Sequence, residues 1–207
     1  MFQRKLLMVA LGAALLTILG SASVAQAQYY GRRGYYAPPP PRGVYRSGVI
    51  AGFSFGFGGI SASGCGDLCG ISGFGEAHLG GMIAPNVAVM GDFWEGLHYF
   101  SGNPNVGSGQ TYNGVYTAAL QWWPTYNVWL KGGLGFGRIQ INSDYAYYSV
   151  DDETGFAFLL AGGIEIMQSY NFALDLQLRY GNVAYGGAAN SIGDVSMYGL
   201  MIGFNWY

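Results

Sequence analysis

Charge is scarce in this sequence, and positive charge is scarcest of all. Asp, Glu, Lys and Arg make up 10% of the 207 residues, against about 25% in an ordinary soluble domain. Arg4 and Lys5 open the chain, Arg32, Arg33, Arg42 and Arg46 gather before residue 48, and only Lys131, Arg138 and Arg179 follow. That distribution excludes a nucleic-acid partner, because polyphosphate binding needs a basic face. Long apolar runs are missing too. After Gln28 none approaches the roughly 20 residues that a spanning helix requires. Histidine is limited to His78 and His98, and cysteine to Cys65 and Cys69. A chain with so little charge and no helix to insert makes an awkward soluble protein.

What is abundant is apolar and small: 51% hydrophobic residues, 16% aromatics and 36 glycines. The first residues stand apart from the rest. Arg4 and Lys5 precede an apolar run from Leu6 to Leu19, and Ala25 and Ala27 then form an A-x-A cleavage site. This pattern predicts an export signal over 1–27, cut after Ala27. Residues 28–47, "QYYGRRGYYAPPPPRGVYRS", have no core-forming period, and Pro38 to Pro41 favour an extended polyproline conformation. We read them as a disordered periplasmic linker ahead of a folded domain over 48–207.

That domain alternates. In "FALDLQLRYG" Phe172, Leu174, Leu176, Leu178 and Tyr180 share one parity and Ala173, Asp175, Gln177 and Arg179 the other, which is a strand with two unlike faces. Eight such stretches follow one another, among them "GVIAGFSFGFG", "GVYTAALQWW", "GFAFLLAGGIEI" and "VSMYGLMIGFNWY". Three connections are tight and carry Pro or Asn: "APN", "PTYN" and "QSYN". Four are longer, spanning about 58–72, 100–112, 140–154 and 182–194. An even strand number with short turns at one end and long loops at the other predicts an all-β, eight-stranded antiparallel up-and-down transmembrane barrel. The polar parity is mostly Gly, Ala, Ser, Asn and Gln, so it suits a narrow interior better than bulk water. The Leu/Phe/Ile parity is therefore placed outward against lipid. Trp122, Trp123, Tyr126, Trp129, Tyr170 and Trp206 are expected to form an aromatic girdle at the turn side. Trp94, Tyr99, Tyr112, Tyr180 and Tyr198 would form the other at the loop side.

In these features residues 48–207 resemble the small eight-stranded outer-membrane barrels, such as the transmembrane domain of OmpA and the OmpX-like, OmpW-like and other single-domain porin-family proteins. The resemblance implies the outer membrane of a Gram-negative cell, with both termini periplasmic and with outer-membrane lipid, lipopolysaccharide and the barrel assembly machinery as partners. It also implies a C-terminal assembly signal formed by Phe204, Trp206 and Tyr207. Tyr207 falls one residue out of phase with the outward set Tyr198, Leu200, Ile202, Phe204 and Trp206. An oligomeric state does not follow.

The inward charges carry whatever chemistry there is. Glu76, His78, Asp92, Lys131, Glu165, Asp175 and Arg179 are expected to form an interior polar network, because enclosed charge requires partners. Lys131 and Glu165, on neighbouring strands, are a plausible pair, and Arg179 should reach a carboxylate on another strand. A polar path for small solutes is the alternative. Some barrels of this size modify lipid A with Ser, His and an acid, but "LHYFSG" sets Ser101 three residues after His98, toward a loop, and nucleophilic catalysis needs base and nucleophile in contact. No catalytic residue, metal ligand set or cofactor is assigned. Cys65 and Cys69, in an oxidising setting, are read as a disulfide pinning the first long loop. Asp144, Asp151, Asp152 and Glu153 form a solvated acidic face on the third. The most defensible role is non-enzymatic, in envelope integrity or surface interaction.

Overall fold

The structure is a computed structural model and describes residues 46–62, 69–103, 107–143, 150–185 and 193–207. Eight strands follow in order: β1 (Val49–Ala62), β2 (Gly70–Ala84), β3 (Val87–Asn103), β4 (Gly107–Trp122), β5 (Val128–Ser143), β6 (Val150–Ser169), β7 (Phe172–Tyr185) and β8 (Val195–Trp206). Each pairs antiparallel with the next, and β8 returns to β1, closing the barrel. Closure leaves no unpaired edge, the condition a sheet must meet to stand in hydrocarbon.

Following the register around the wall from Val87 passes Trp122, Leu130, Gly162, Leu178, Leu200, Phe57 and Gly73, and returns to β3 at Leu97. A stagger of ten residues over eight strands corresponds to a strand tilt of about 40°. The strands run further than expected on the loop side. β1 continues to Ala62 and β2 starts at Gly70, and likewise β3 and β4 reach Asn103 and Gly107. Much of the first three predicted loops is strand, because backbone pairing continues through Gly- and Ser-rich sequence without asking anything of the side chains.

Alternation settles the two faces. Phe53, Phe55, Phe57, Leu134, Phe136, Leu160, Leu176, Leu178 and Ile202 point outward and are exposed. Asp92, Asp175, Gln177 and Arg179 point inward and are buried. Outward aromatic rings stack along the seam that closes the barrel, Phe53 on Phe204 at 5.0 Å and on Trp206 at 5.8 Å. Of the girdle residues, Trp122, Tyr126, Tyr170, Trp206, Tyr99, Tyr112, Tyr180 and Tyr198 are exposed. Trp94, Trp123 and Trp129 are not: each is at most 2% exposed and fills the interior. The girdle assignment fails for these three because each shares the inward parity, Trp94 with Asp92, Trp129 with Lys131 and Trp123 with Gln121.

Inside, side chains form two apolar layers. The layer toward the loops holds Phe74, Trp94, Ile139, Leu159 and Met197. The layer toward the short turns holds Ile50, Met90, Trp123, Trp129 and Tyr207. Glycine makes room for the large rings. A Cβ on Gly163 would lie 2.5 Å from Trp129 Cε2 and Cζ2. Gly163→Ala is therefore expected to push the indole off its site, costing about 1–3 kcal/mol as overpacking does. Guanidinium unfolding of the folded protein in detergent, followed by tryptophan emission, measures this.

Candidate functional site

Between the two apolar layers β2, β3, β5 and β7 each send charge into the lumen. Alternation alone does this: on β3 the inward series runs Ala88, Met90, Asp92, Trp94, so one carboxylate sits between two apolar floors. Arg179 of β7 reaches across the lumen to hydrogen-bond Asp92 of β3, and its Nη1 lies 3.2 Å from Glu76 Oε1 of β2. Lys131 of β5 donates to Asp92 Oδ2 at 2.8 Å and stands 3.7 Å from Glu76 Oε1. His78 contacts Glu76 Oε1 through Nδ1 at 2.7 Å, and Ser54 Oγ donates to Glu76 Oε2, also at 2.7 Å. The guanidinium carbon of Arg179 lies 5.3 Å from the Trp94 ring centre, a favourable cation–π distance. Two carboxylates thus face two cations, and strands that are not neighbours in the wall are tied across the lumen.

Asp175 belongs to a separate group, and its three partners are uncharged. It accepts from Trp129 Nε1 at 2.8 Å, Gln177 Nε2 at 2.8 Å and Asn205 Nδ2 at 3.0 Å. Gly203 permits this cluster, since a Cβ there would overlap both Gln177 and Asp175.

The mouth at the short-turn end has its own centre. Glu165 of β6 does not pair with Lys131. It pairs with Arg46, whose Nη2 lies 2.6 Å from Oε2. Trp123 Nε1 and the Tyr207 hydroxyl donate to Glu165 Oε1 at 2.8 and 2.9 Å, and Gln168 Nε2 donates to Oε2 at 2.6 Å. Burial, then the neighbouring Glu165 carboxylate, push the Tyr207 phenol well above its ordinary value of 10.0, so it stays a donor at neutral pH.

The seven predicted interior residues are all buried, but they fall into three groups: Glu76, His78, Asp92, Lys131 and Arg179 in the middle, Asp175 beside them, and Glu165 at the mouth. Phe204 and Trp206 lie on the outer face of β8 and Tyr207 turns inward onto Trp123, 5.9 Å between ring centres. Cys69 is disulfide-bonded. Cys65, Asp144 and residues 1–45, which hold the expected signal and most of the expected linker, lie outside the described residues, as do the side chains of Asp151 and Asp152. Arg46 is the functional residue that sequence reasoning missed. Nothing in the linker's composition marks it, and its partner is 119 residues away.

Glu76, His78 and Asp92 place one ligand atom each within 4.8 Å of one another, a donor set that suits a cation. Lys131 and Arg179 already supply that positive charge, so the carboxylates offer no surplus to a metal. Ser54, Glu76 and His78 also adjoin, but the carboxylate stands between hydroxyl and imidazole. The hydroxyl therefore donates to an acid rather than to a base, and no activated nucleophile results. His98 Nδ1 lies 2.8 Å from the Ile71 carbonyl, away from this group.

The backbone is similar to three solved structures. Ail, the attachment invasion locus protein of Yersinia pestis, superposes with a TM-score of 0.54 at 14% identity, over 78% of this chain and 99% of that one. Ail in complex with the heparin analogue sucrose octasulfate gives 0.53 at 16% identity, over 77% and 99%. Neisserial surface protein A gives 0.53 at 15% identity, over 77% and 97%. The likeness is one of fold: a small eight-stranded outer-membrane barrel. No protein-family model matches the chain, and neither does any curated protein.

Proposed function

We propose that this chain is an outer-membrane barrel with a non-enzymatic structural or surface-interaction role in the cell envelope, and that its lumen is closed. Residues 1–27 direct export, and 28–47 lead from the periplasm into a barrel whose termini both lie on that side. The observation that carries this reading is the inversion of faces. Leu178 in the middle of β7 is 67% exposed while Arg179 beside it is 3% exposed, an arrangement favourable only where the surroundings are less polar than the interior. Acyl chains of outer-membrane lipid and lipopolysaccharide cover the outward residues. Phe204 and Trp206, outward on the last strand, present the pattern offered to the assembly machinery.

The two apolar layers with the charge network between them support a closed lumen. Ionic paths need continuous water, and Phe74 and Trp94 on one side of the network and Met90 and Trp129 on the other set apolar side chains across the lumen. In planar bilayers the folded protein is expected to show no discrete openings. Steady unitary currents would establish the channel reading instead. Fractionation tests location: the protein should sit in the outer membrane and migrate faster on gels before heating than after. Recovery in the soluble periplasmic fraction without detergent would refute membrane insertion.

A further inference from the structure

The turn-side mouth is built like a receptor. Glu165 lies at its floor, held from three sides by Trp123, Tyr207 and Gln168. The Tyr126 carbonyl sits at its rim and accepts from Gln168 Nε2 at 2.9 Å. The walls are the Trp123 and Tyr207 rings, packed edge to face. None of these contacts involves Arg46, so each can persist when the occupant leaves. A carboxylate, a carbonyl and two aromatic faces are the groups that recognise a planar guanidinium.

Arg46 occupies this cage. Its Nη2 donates to Glu165 Oε2 at 2.6 Å and to the Tyr126 carbonyl at 2.8 Å. Its guanidinium carbon lies 4.8 Å from the Trp123 ring centre and 5.4 Å from that of Tyr207. Among the described residues it is the only cation paired with Glu165. The fit is incomplete, however. Arg46 Nε is buried with no hydrogen-bond partner, and a buried unmet donor is unfavourable. The approach is also set by a single backbone feature: Gly48, at φ +74°, turns the chain between β1 and Arg46 through a conformation that other L-residues rarely adopt. The Gly48 carbonyl accepts from Met82 N at 2.8 Å, which fixes the turn to β2.

We propose that the mouth is a guanidinium-binding site whose resident ligand is the chain's own Arg46, and that it accepts an external guanidinium, such as an arginine side chain of a peptide, when Arg46 withdraws. An external group is free of the tether at Gly48 and can turn so that its own donors are met, where Arg46 Nε is not. Exchange would couple the arrival of an arginine-bearing partner to withdrawal of Arg46 from the mouth. Lysine would be a poorer ligand, since a point charge cannot donate to Glu165 and Tyr126 while lying flat between two rings.

The test uses the full chain folded in detergent and titrated by calorimetry with methylguanidinium, the tripeptide Gly-Arg-Gly and, as a control, Gly-Lys-Gly. Arg42→Ala with Arg46→Ala empties the cage and removes the leader arginine nearest in sequence as a substitute occupant. Gly48→Val withdraws Arg46 while leaving every group of the cage in place, and serves if the double variant does not fold. Either variant should bind methylguanidinium and Gly-Arg-Gly with Kd of about millimolar, at least ten-fold tighter than the unaltered chain and than Gly-Lys-Gly. Adding Glu165→Gln should abolish that gain. Equal binding by altered and unaltered chains, equal binding of the lysine peptide, or persistence of the gain in Glu165→Gln would each overturn the proposal, as would failure of both variants to bind.

Discussion

Replacing Arg179 by methionine is expected to destabilise the folded barrel by about 3–5 kcal/mol, the usual cost of removing one partner from a buried ion pair. Arg179 lies closer to both carboxylates than Lys131 does, and it spans from β7 to β2 and β3. Without it Glu76 and Asp92 share Lys131 alone, and one negative charge is left uncompensated between two apolar layers. Methionine keeps much of the volume, so the loss is electrostatic rather than a cavity effect. Adding Asp92→Leu should recover a large part of the loss, because Glu76, His78 and Lys131 then balance. Guanidinium unfolding in detergent, with heat-modifiable gel mobility as the check on folding, measures both. A non-additive pair of this kind is what a shared network produces. Simple addition of the two single costs would show that Asp92 and Arg179 act independently.

Replacing the neighbouring Leu178 by arginine tests the other face. In hydrocarbon near mid-membrane such a change costs about 2–4 kcal/mol. On a water-facing surface the same change falls within about 0.5 kcal/mol. Leu178 is suited to the comparison because it is exposed, lies near the middle of β7 and pairs with Leu200 and Gly162, which add no charge nearby. The unfolding midpoint in lipid vesicles is expected to drop accordingly. An unchanged midpoint would mean that this face meets water. Arg179→Met and Leu178→Arg concern adjacent positions and opposite changes of polarity, yet both are expected to destabilise. Only a barrel with its charge inside and its grease outside has that property.

The strand count, the closure and the outward stripe could be read from alternation because a period of two is a direct consequence of strand geometry. The buried charges could be read for the same reason, since Glu76, Asp92, Lys131, Asp175 and Arg179 all fall on the glycine-rich parity. Two kinds of information were lost. Trp94, Trp123 and Trp129 drew attention as aromatics when their parity should have decided, and that signal was present in the sequence. Partner choice was not. Whether Lys131 meets Glu165 or Asp92 depends on how far each strand slides past the next, and that slide is the sum of pairings around the whole wall. Arg46 was hidden more deeply, because it lies outside any alternating segment and its partners come from β6, the turn before β5 and the end of the chain. The extra length of the strands went unseen because hydrogen bonding between backbones leaves little mark on sequence.

The ten-residue stagger has a consequence for what this molecule can become. Strand spacing of about 4.8 Å and a tilt of about 40° fix the radius of the backbone cylinder at about 8 Å. No trimming of interior side chains enlarges that circumference. Truncations along the lumen would open at most a thread of water for ions and the smallest molecules, so sieving of sugars or peptides is out of reach for any point variant and would require duplicated hairpins.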